Sequence, residues 1–147
     1  MKLIMGSDHG GFPLKEYLKK QLTTWGVAYE DVGPFSFEPG DDYPVFAEKV
    51  AKKVAATKNI GLLICGNGQG ICIAANKVKG IRAVVCYDEY TAVTSRNDDN
   101  ANIICLRGRK FSKSKAAKVL KVWLGTPFSG EARHLRRLTM VRKIENG

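Results

Sequence analysis

Cys65 ends the apolar run 60–65 and is followed by Gly66, Asn67, Gly68, Gln69 and Gly70. The thiol is a potential nucleophile or base, and its thiolate is the reactive form. Alternating glycines free the backbone to take positive φ and to approach a ligand closely. The apolar, alanine-rich stretch after them can open a helix whose first amides lack partners, which suits an anion or an oxygen that becomes anionic during a reaction. A strand-to-helix turn carrying a buried cysteine would have the same residues. Two further groups carry chemistry. Ser7-Asp8-His9 closes the first apolar run, and Arg133-His-Leu-Arg-Arg137 concentrates planar guanidinium donors suited to bidentate phosphate recognition.

The elements that must position these residues alternate. Residues 2–5 read as a short strand. Residues 13–25 read as an amphipathic helix, with Leu14, Tyr17, Leu18 and Leu22 on one face and proline at its start. Strands follow at 27–32, 60–65, 81–86 and 103–106, and helices at 44–57, 71–78, 89–96, 116–124 and from about 131. Five strands separated by helices imply a parallel sheet covered on both faces, a Rossmann-like three-layer α/β sandwich. In such sheets ligands bind beyond the carboxyl ends of the strands, where Asp8, Cys65 and the region of Asp88 would gather. Residues 1–147 read as one domain. Residues 126–147 form a basic helical tail whose Leu135, Leu138, Val141 and Ile144 make an apolar stripe, expected to pack on the domain or on a neighbouring copy.

Composition narrows the function classes. The chain has 147 residues, 44% of them hydrophobic, enough for one real core. No run reaches membrane-spanning length, and Gly6 and Asp8 interrupt the start too early for a signal peptide, so a cytoplasmic protein with no membrane partner is expected. Cys65, Cys72, Cys86 and Cys105 form no CxxC pair and only two histidines exist, which favours free thiols over disulfides or a metal site. The net charge of +10 suits anionic ligands. Lys15, Lys19, Lys20, Lys49, Lys52 and Lys53 read as solvated helix faces. No basic–aromatic stacking pattern or recognition motif supports nucleic-acid binding. Neither glycine-rich segment has the GxGxxG spacing of a nicotinamide dehydrogenase.

Seven segments occur together in order: Gly6-Ser-Asp-His-Gly-Gly-Phe12; Asp42-Tyr-Pro44; Cys65-Gly-Asn-Gly-Gln-Gly70 with Ile73-Ala-Ala-Asn-Lys77; Gly80-Ile-Arg-Ala83; Ser95-Arg96 with Asn100-Ala-Asn102; Gly108-Arg109; and Arg133-His-x-x-Arg137. Over essentially its whole length the chain resembles the type B ribose-5-phosphate isomerase family, which also includes galactose-6-phosphate isomerase subunits. The resemblance implies an aldose–ketose isomerase of phosphorylated sugars that works through an enediolate and needs neither metal nor cofactor. It also implies a homodimer or tetramer with active sites shared between subunits. Cys65 matches the general base of the cysteine-bearing branch, and the amides of Gly66, Asn67, Gly68 and Gly70 would face the enediolate oxygens. His9, Arg109, Arg133 and Arg137 match phosphate contacts, the last two reaching the neighbouring subunit's site. Asp8 and Tyr43 match residues near the sugar hydroxyls. Taken alone, His9 reads as a loop histidine, Arg109 as a surface charge, Asp8 as a turn former and Tyr43 as a packing ring.

Three positions depart from the pattern. Asp98 stands where the family usually has the histidine associated with opening the furanose ring, Asp99 replaces a substrate-contacting asparagine, and Asn67 replaces a hydroxyl residue. Asp98 is then expected to serve in ring opening as an acceptor or hydrogen-bond partner. The alternatives are a different aldose phosphate, such as allose-6-phosphate or galactose-6-phosphate, or a noncatalytic sugar-phosphate binder.

Overall fold

The computed structural model describes residues 1–147. Five parallel strands, β1 (Leu3–Ser7), β2 (Tyr29–Asp31), β3 (Ile60–Cys65), β4 (Ala83–Val85) and β5 (Ile103–Arg107), lie in the order β2-β1-β3-β5-β4. The helices are α1 (Phe12–Thr24), α2 (Tyr43–Ala56), α3 (Gln69–Ala75), α4 (Glu89–Asn97), α5 (Lys113–Gly125) and α6 (Ala132–Asn146). Successive strand residues point to opposite faces, and the core divides accordingly. Leu3, Met5, Leu62, Ile64, Ile104 and Leu106 meet Leu18 of α1 and Leu120 and Trp123 of α5. Ile4, Leu63, Cys65, Ile103 and Cys105 meet Val50 of α2 and Ile71 of α3. This is the expected three-layer sandwich.

The strand order fixes where a ligand can enter. From β1 the chain crosses to β2 on one side, then returns past β1 to β3 on the other, so the loops after β1 and β3 diverge over a crevice at the carboxyl edge of the sheet. Asp8 and His9 follow β1, and the glycine loop follows β3.

Some boundaries differ from those expected. α3 begins directly after Gly68, which has φ of 75°, and it stops at Asn76, whose side chain donates to the Ala83 carbonyl at 2.9 Å and accepts the Ala83 N–H at 2.8 Å. That exchange draws the chain into β4 and shortens the helix expected to run to residue 78. α5 starts at Lys113, earlier than its apolar periodicity indicates, because the Ser112 hydroxyl caps the Lys115 N–H at 3.2 Å.

Lys15 corrects the reading of the lysines as a solvated face. It is fully buried, and its Nζ donates to Asp31 Oδ2 at 2.6 Å, Asp31 Oδ1 at 2.8 Å and the Pro34 carbonyl at 2.7 Å. A lysine excluded from water needs that set of partners, and spacing along α1 alone does not disclose an aspartate supplied by β2. All four cysteines are free and buried. No helix is long and apolar enough to cross a membrane. In α6 only His134 is buried, while Leu135, Met140, Val141 and Ile144 are each at least half exposed. Within one chain the tail's apolar stripe is therefore largely uncovered.

Candidate active site

Three loops meet at the carboxyl edge and are joined by backbone hydrogen bonds. The Asp8 N–H donates to the Ile64 carbonyl at 3.2 Å, the Gly108 N–H to Cys65 at 2.8 Å and the Arg109 N–H to Gly66 at 3.1 Å. Cys65, the last residue of β3, is only 5% exposed, and its Sγ accepts the Gly68 N–H at 3.2 Å. The left-handed backbone of Gly68 makes that geometry available at no steric cost.

The other glycines admit large side chains. A Cβ on Gly66 would stand 2.8 Å from Arg109 Nη1, and one on Gly70 would stand 2.7 Å from Tyr43 Cζ. The Arg109 guanidinium and the Tyr43 ring thus lie directly over the loop, one from the segment after β5 and the other from the first turn of α2. Asn67 and Gln69 face outward and line an open cavity of about 340 Å³ with Val85, Tyr87, Arg107 and Lys115.

Asp8 and His9 complete this edge. Asp8 is 7% exposed and its Oδ1 accepts the Gly11 N–H at 3.0 Å. Burial pushes its carboxyl above the usual range, against the pull of the Gly11 N–H and of His9. His9 Nδ1 lies 2.9 Å from Asp41 Oδ1, and that hydrogen bond raises the imidazole above its ordinary pKa. Ligand-capable atoms of Asp8, His9 and Asp41 lie within 4.8 Å of one another, and His9 Nδ1 is engaged by Asp41. Sequence reasoning missed Asp41. The only signal for it was its place directly before Asp42-Tyr-Pro44.

The remaining candidates lie elsewhere. α4 runs back from the carboxyl edge, and Asp98 caps its C-terminus. Residues 98–102 then lead into β5, where Ile103 pairs with Gly61 while Arg107 pairs with Cys65. At about 3.3 Å per strand residue, the start of β5 and Cys65 are separated by about 13 Å along the sheet. Asp98 Oδ1 accepts from Asn97 Nδ2 at 2.7 Å and lies 3.8 Å from His134 Nε2. Asp99 is exposed and its carbonyl accepts from Arg82 Nε at 3.2 Å. On α6, Arg133 and Arg137 are exposed, the former 2.9 Å from Glu131. One chain therefore brings together Asp8, His9, Tyr43, Cys65, the glycine loop and Arg109. It holds Asp98, Asp99, Arg133 and Arg137 apart, at the amino edge.

A family model described as Ribose/Galactose Isomerase matches residues 3–141. The chain belongs to this family. It is 41% identical to the probable ribose-5-phosphate isomerase B of Mycoplasma genitalium, over 97% of this chain and 95% of that protein. With the ribose-5-phosphate isomerase B of Escherichia coli it shares 41% identity over 98% and 96% of the two chains. The Mycoplasma genitalium ribose-5-phosphate isomerase B crystallised with bound ribulose-5-phosphate superimposes with a TM-score of 0.94 at 40% identity, covering 99% of this chain and 96% of that one. Family membership accounts for the arrangement of all three loops at the carboxyl edge, since the likeness runs through every element that carries them.

Proposed function

We propose that the protein interconverts ribose-5-phosphate and ribulose-5-phosphate, as an aldose–ketose isomerase without metal or cofactor. The observation that carries this reading is a cysteine sulfur held by the Gly68 amide at the head of a glycine loop, with an acid, an imidazole and a guanidinium around it. The relatives named for this reaction support the choice of substrate.

In the open-chain aldose, the Cys65 thiolate takes the proton from C2 and the electron pair moves toward C1, giving an enediolate. Cys65 then returns the proton to C1, and a proton passes between the two sugar oxygens. Amides of Gly66, Asn67, Gly68 and Gly70 stabilise the charge that develops on those oxygens. Asp8 and Tyr43 hold the sugar hydroxyls. His9 and Arg109 grip the phosphate from one chain, while Arg133 and Arg137 of a second copy close over it. That copy also supplies Asp98 and Asp99. The shared site is supported by the separation of the two residue sets within a chain, and by the uncovered apolar stripe of α6, which a second copy would bury.

Asp98 in place of the family's histidine favours a second reading, in which the substrate is a different aldose phosphate. A relative in Mycolicibacterium smegmatis, 39% identical, is named for D-erythrulose-4-phosphate. Purified protein incubated with ribose-5-phosphate, erythrulose-4-phosphate, allose-6-phosphate and galactose-6-phosphate, followed by NMR, separates the readings. Fastest turnover of ribose-5-phosphate is expected. Preference for another sugar establishes the second reading, and no interconversion of any leaves a noncatalytic sugar-phosphate binder.

A further inference from the structure

His9 has one ring nitrogen committed and one free. Asp41 Oδ1 accepts the His9 backbone N–H at 2.8 Å and lies 2.9 Å from Nδ1. The Asp41 side chain is 13% exposed, and its Oδ2 is buried without a hydrogen-bond partner. The Phe37 ring meets the imidazole edge-on, with centroids 6.2 Å apart. A carboxylate so withdrawn from water, with one oxygen unpartnered, depends for compensation on what the other oxygen touches. A proton on Nδ1 supplies that compensation and leaves the opposite nitrogen, on a side chain 28% exposed, free to donate outward.

We propose that Asp41 is a positioning residue that keeps His9 an imidazolium, with Nδ1–H on the carboxylate and Nε2–H available to the substrate's phosphate. The proposal rests on the reading of His9 as a phosphate ligand and adds the group that sets its charge. Asp8 in the same loop and Asp41 in the loop before α2 both favour the protonated ring, Asp41 most strongly through its hydrogen bond, while partial withdrawal from water opposes it. The cation contributed to this edge by a third element is Arg109, over Gly66, against which Gly10 packs. Nothing in the sequence singles out Asp41 for this role, because 32 residues separate it from His9.

The test is an NMR titration of the His9 ring, which is readily assigned with His9→Gln because the chain has two histidines. In the native protein His9 should titrate above the ordinary value of about 6.5, with ¹⁵N shifts showing both ring nitrogens protonated below the midpoint and Nδ1 keeping its proton above it. Asp41→Asn retains an acceptor for the His9 backbone N–H and should lower the midpoint to about 6.5 or below. Between pH 5.5 and 7.5 the imidazolium fraction falls about tenfold across a midpoint of about 6.5, so KM for ribose-5-phosphate in Asp41→Asn should rise by up to about that factor and more steeply than in the native enzyme. The value of kcat should change much less. A native His9 titrating at or below 6.5, or a midpoint unmoved by Asp41→Asn, overturns the proposal. A lowered midpoint with no added pH dependence in KM removes His9 from the phosphate and with it the functional part of the proposal. Should Asp41→Asn fail to fold, the native titration and tautomer decide.

Discussion

The carboxyl edge of the sheet around Cys65 and the amino edge around Asp98 are built differently. At the first, backbone hydrogen bonds join the loops after β1, β3 and β5, glycines let Arg109 and Tyr43 rest on the loop, and Cys65 and Asp8 are withdrawn from water. At the second, Asp99, Arg133 and Arg137 are exposed and the apolar stripe of α6 is largely uncovered. A preorganised site holds groups where charge develops without reorganising them. Long side chains projecting into water have no such restraint. The contrast teaches that one chain fixes the geometry around Cys65 by itself, whereas Arg133 and Arg137 gain a fixed geometry under the proposed reading only when a second copy packs against them.

The largest effect expected from breaking this comparison is at Cys65. Cys65→Ser or Cys65→Ala should lower isomerisation by about 10²–10⁴-fold, the usual contribution of a positioned base, with little change in phosphate-ester affinity. Substantial turnover in either variant would assign the base elsewhere. The same variant sharpens the comparison when mixed with Arg137→Ala. Verified heterodimers carry one site with both lesions and one with neither, so activity should recover to about half that of the native dimer. Absence of recovery would mean that Cys65 and Arg137 do not serve each other's subunits.

The Lys15–Asp31 pair anchors the Pro34 segment beyond β2 and offers the largest expected stability effect. Asp31→Asn strands Lys15 in the interior and should cost about 3–5 kcal/mol, the usual consequence of breaking a buried pair, read from denaturant unfolding. Burial pushes the Asp31 carboxyl up, but Lys15, the Gly33 N–H and Lys19 together hold it below its ordinary value. Its contribution is thus present above the unfolded carboxylate pKa of about 3.9 and is lost as pH falls through the lower folded value. Acid unfolding of the native protein below about pH 4 should include a component that Asp31→Asn lacks. An unchanged acid limb in the variant would contradict this.

Smaller effects belong to the exposed half. Arg133→Ala and Arg137→Ala should each raise KM for ribose-5-phosphate about ten- to a hundredfold, the range of a hydrogen bond to a charged group, while a sugar without phosphate should be nearly indifferent. Equal loss with both sugars would point to folding or assembly instead. The smallest effect is reserved for Asp98→His, which should speed only turnover starting from ring-closed ribose-5-phosphate and leave the reaction from acyclic ribulose-5-phosphate unchanged. Stopped-flow measurement in both directions reads this difference, and parallel changes in the two would place Asp98 outside ring opening.

Much of the molecule was legible in the residues. Apolar runs and helical spacing disclosed the five strands, the crossover helices and hence a parallel sheet, since those patterns record which faces meet the core. The run 60–65 followed by alternating glycines located Cys65 and its loop, because few other residues tolerate such a backbone. What periodicity does not encode is which polar groups meet across the fold. Lys15 looked like a surface residue until β2 supplied Asp31, α3 ended early because Asn76 pairs with Ala83, and Asp41 reached His9 from a loop with no regular pattern. Such partnerships depend on angle and distance between segments remote in the chain, and only packing decides them. The division of the candidate residues between two edges was likewise a tertiary outcome: the helical signal at 89–96 located α4, but the direction in which it crosses the sheet is what carries Asp98 away from Cys65.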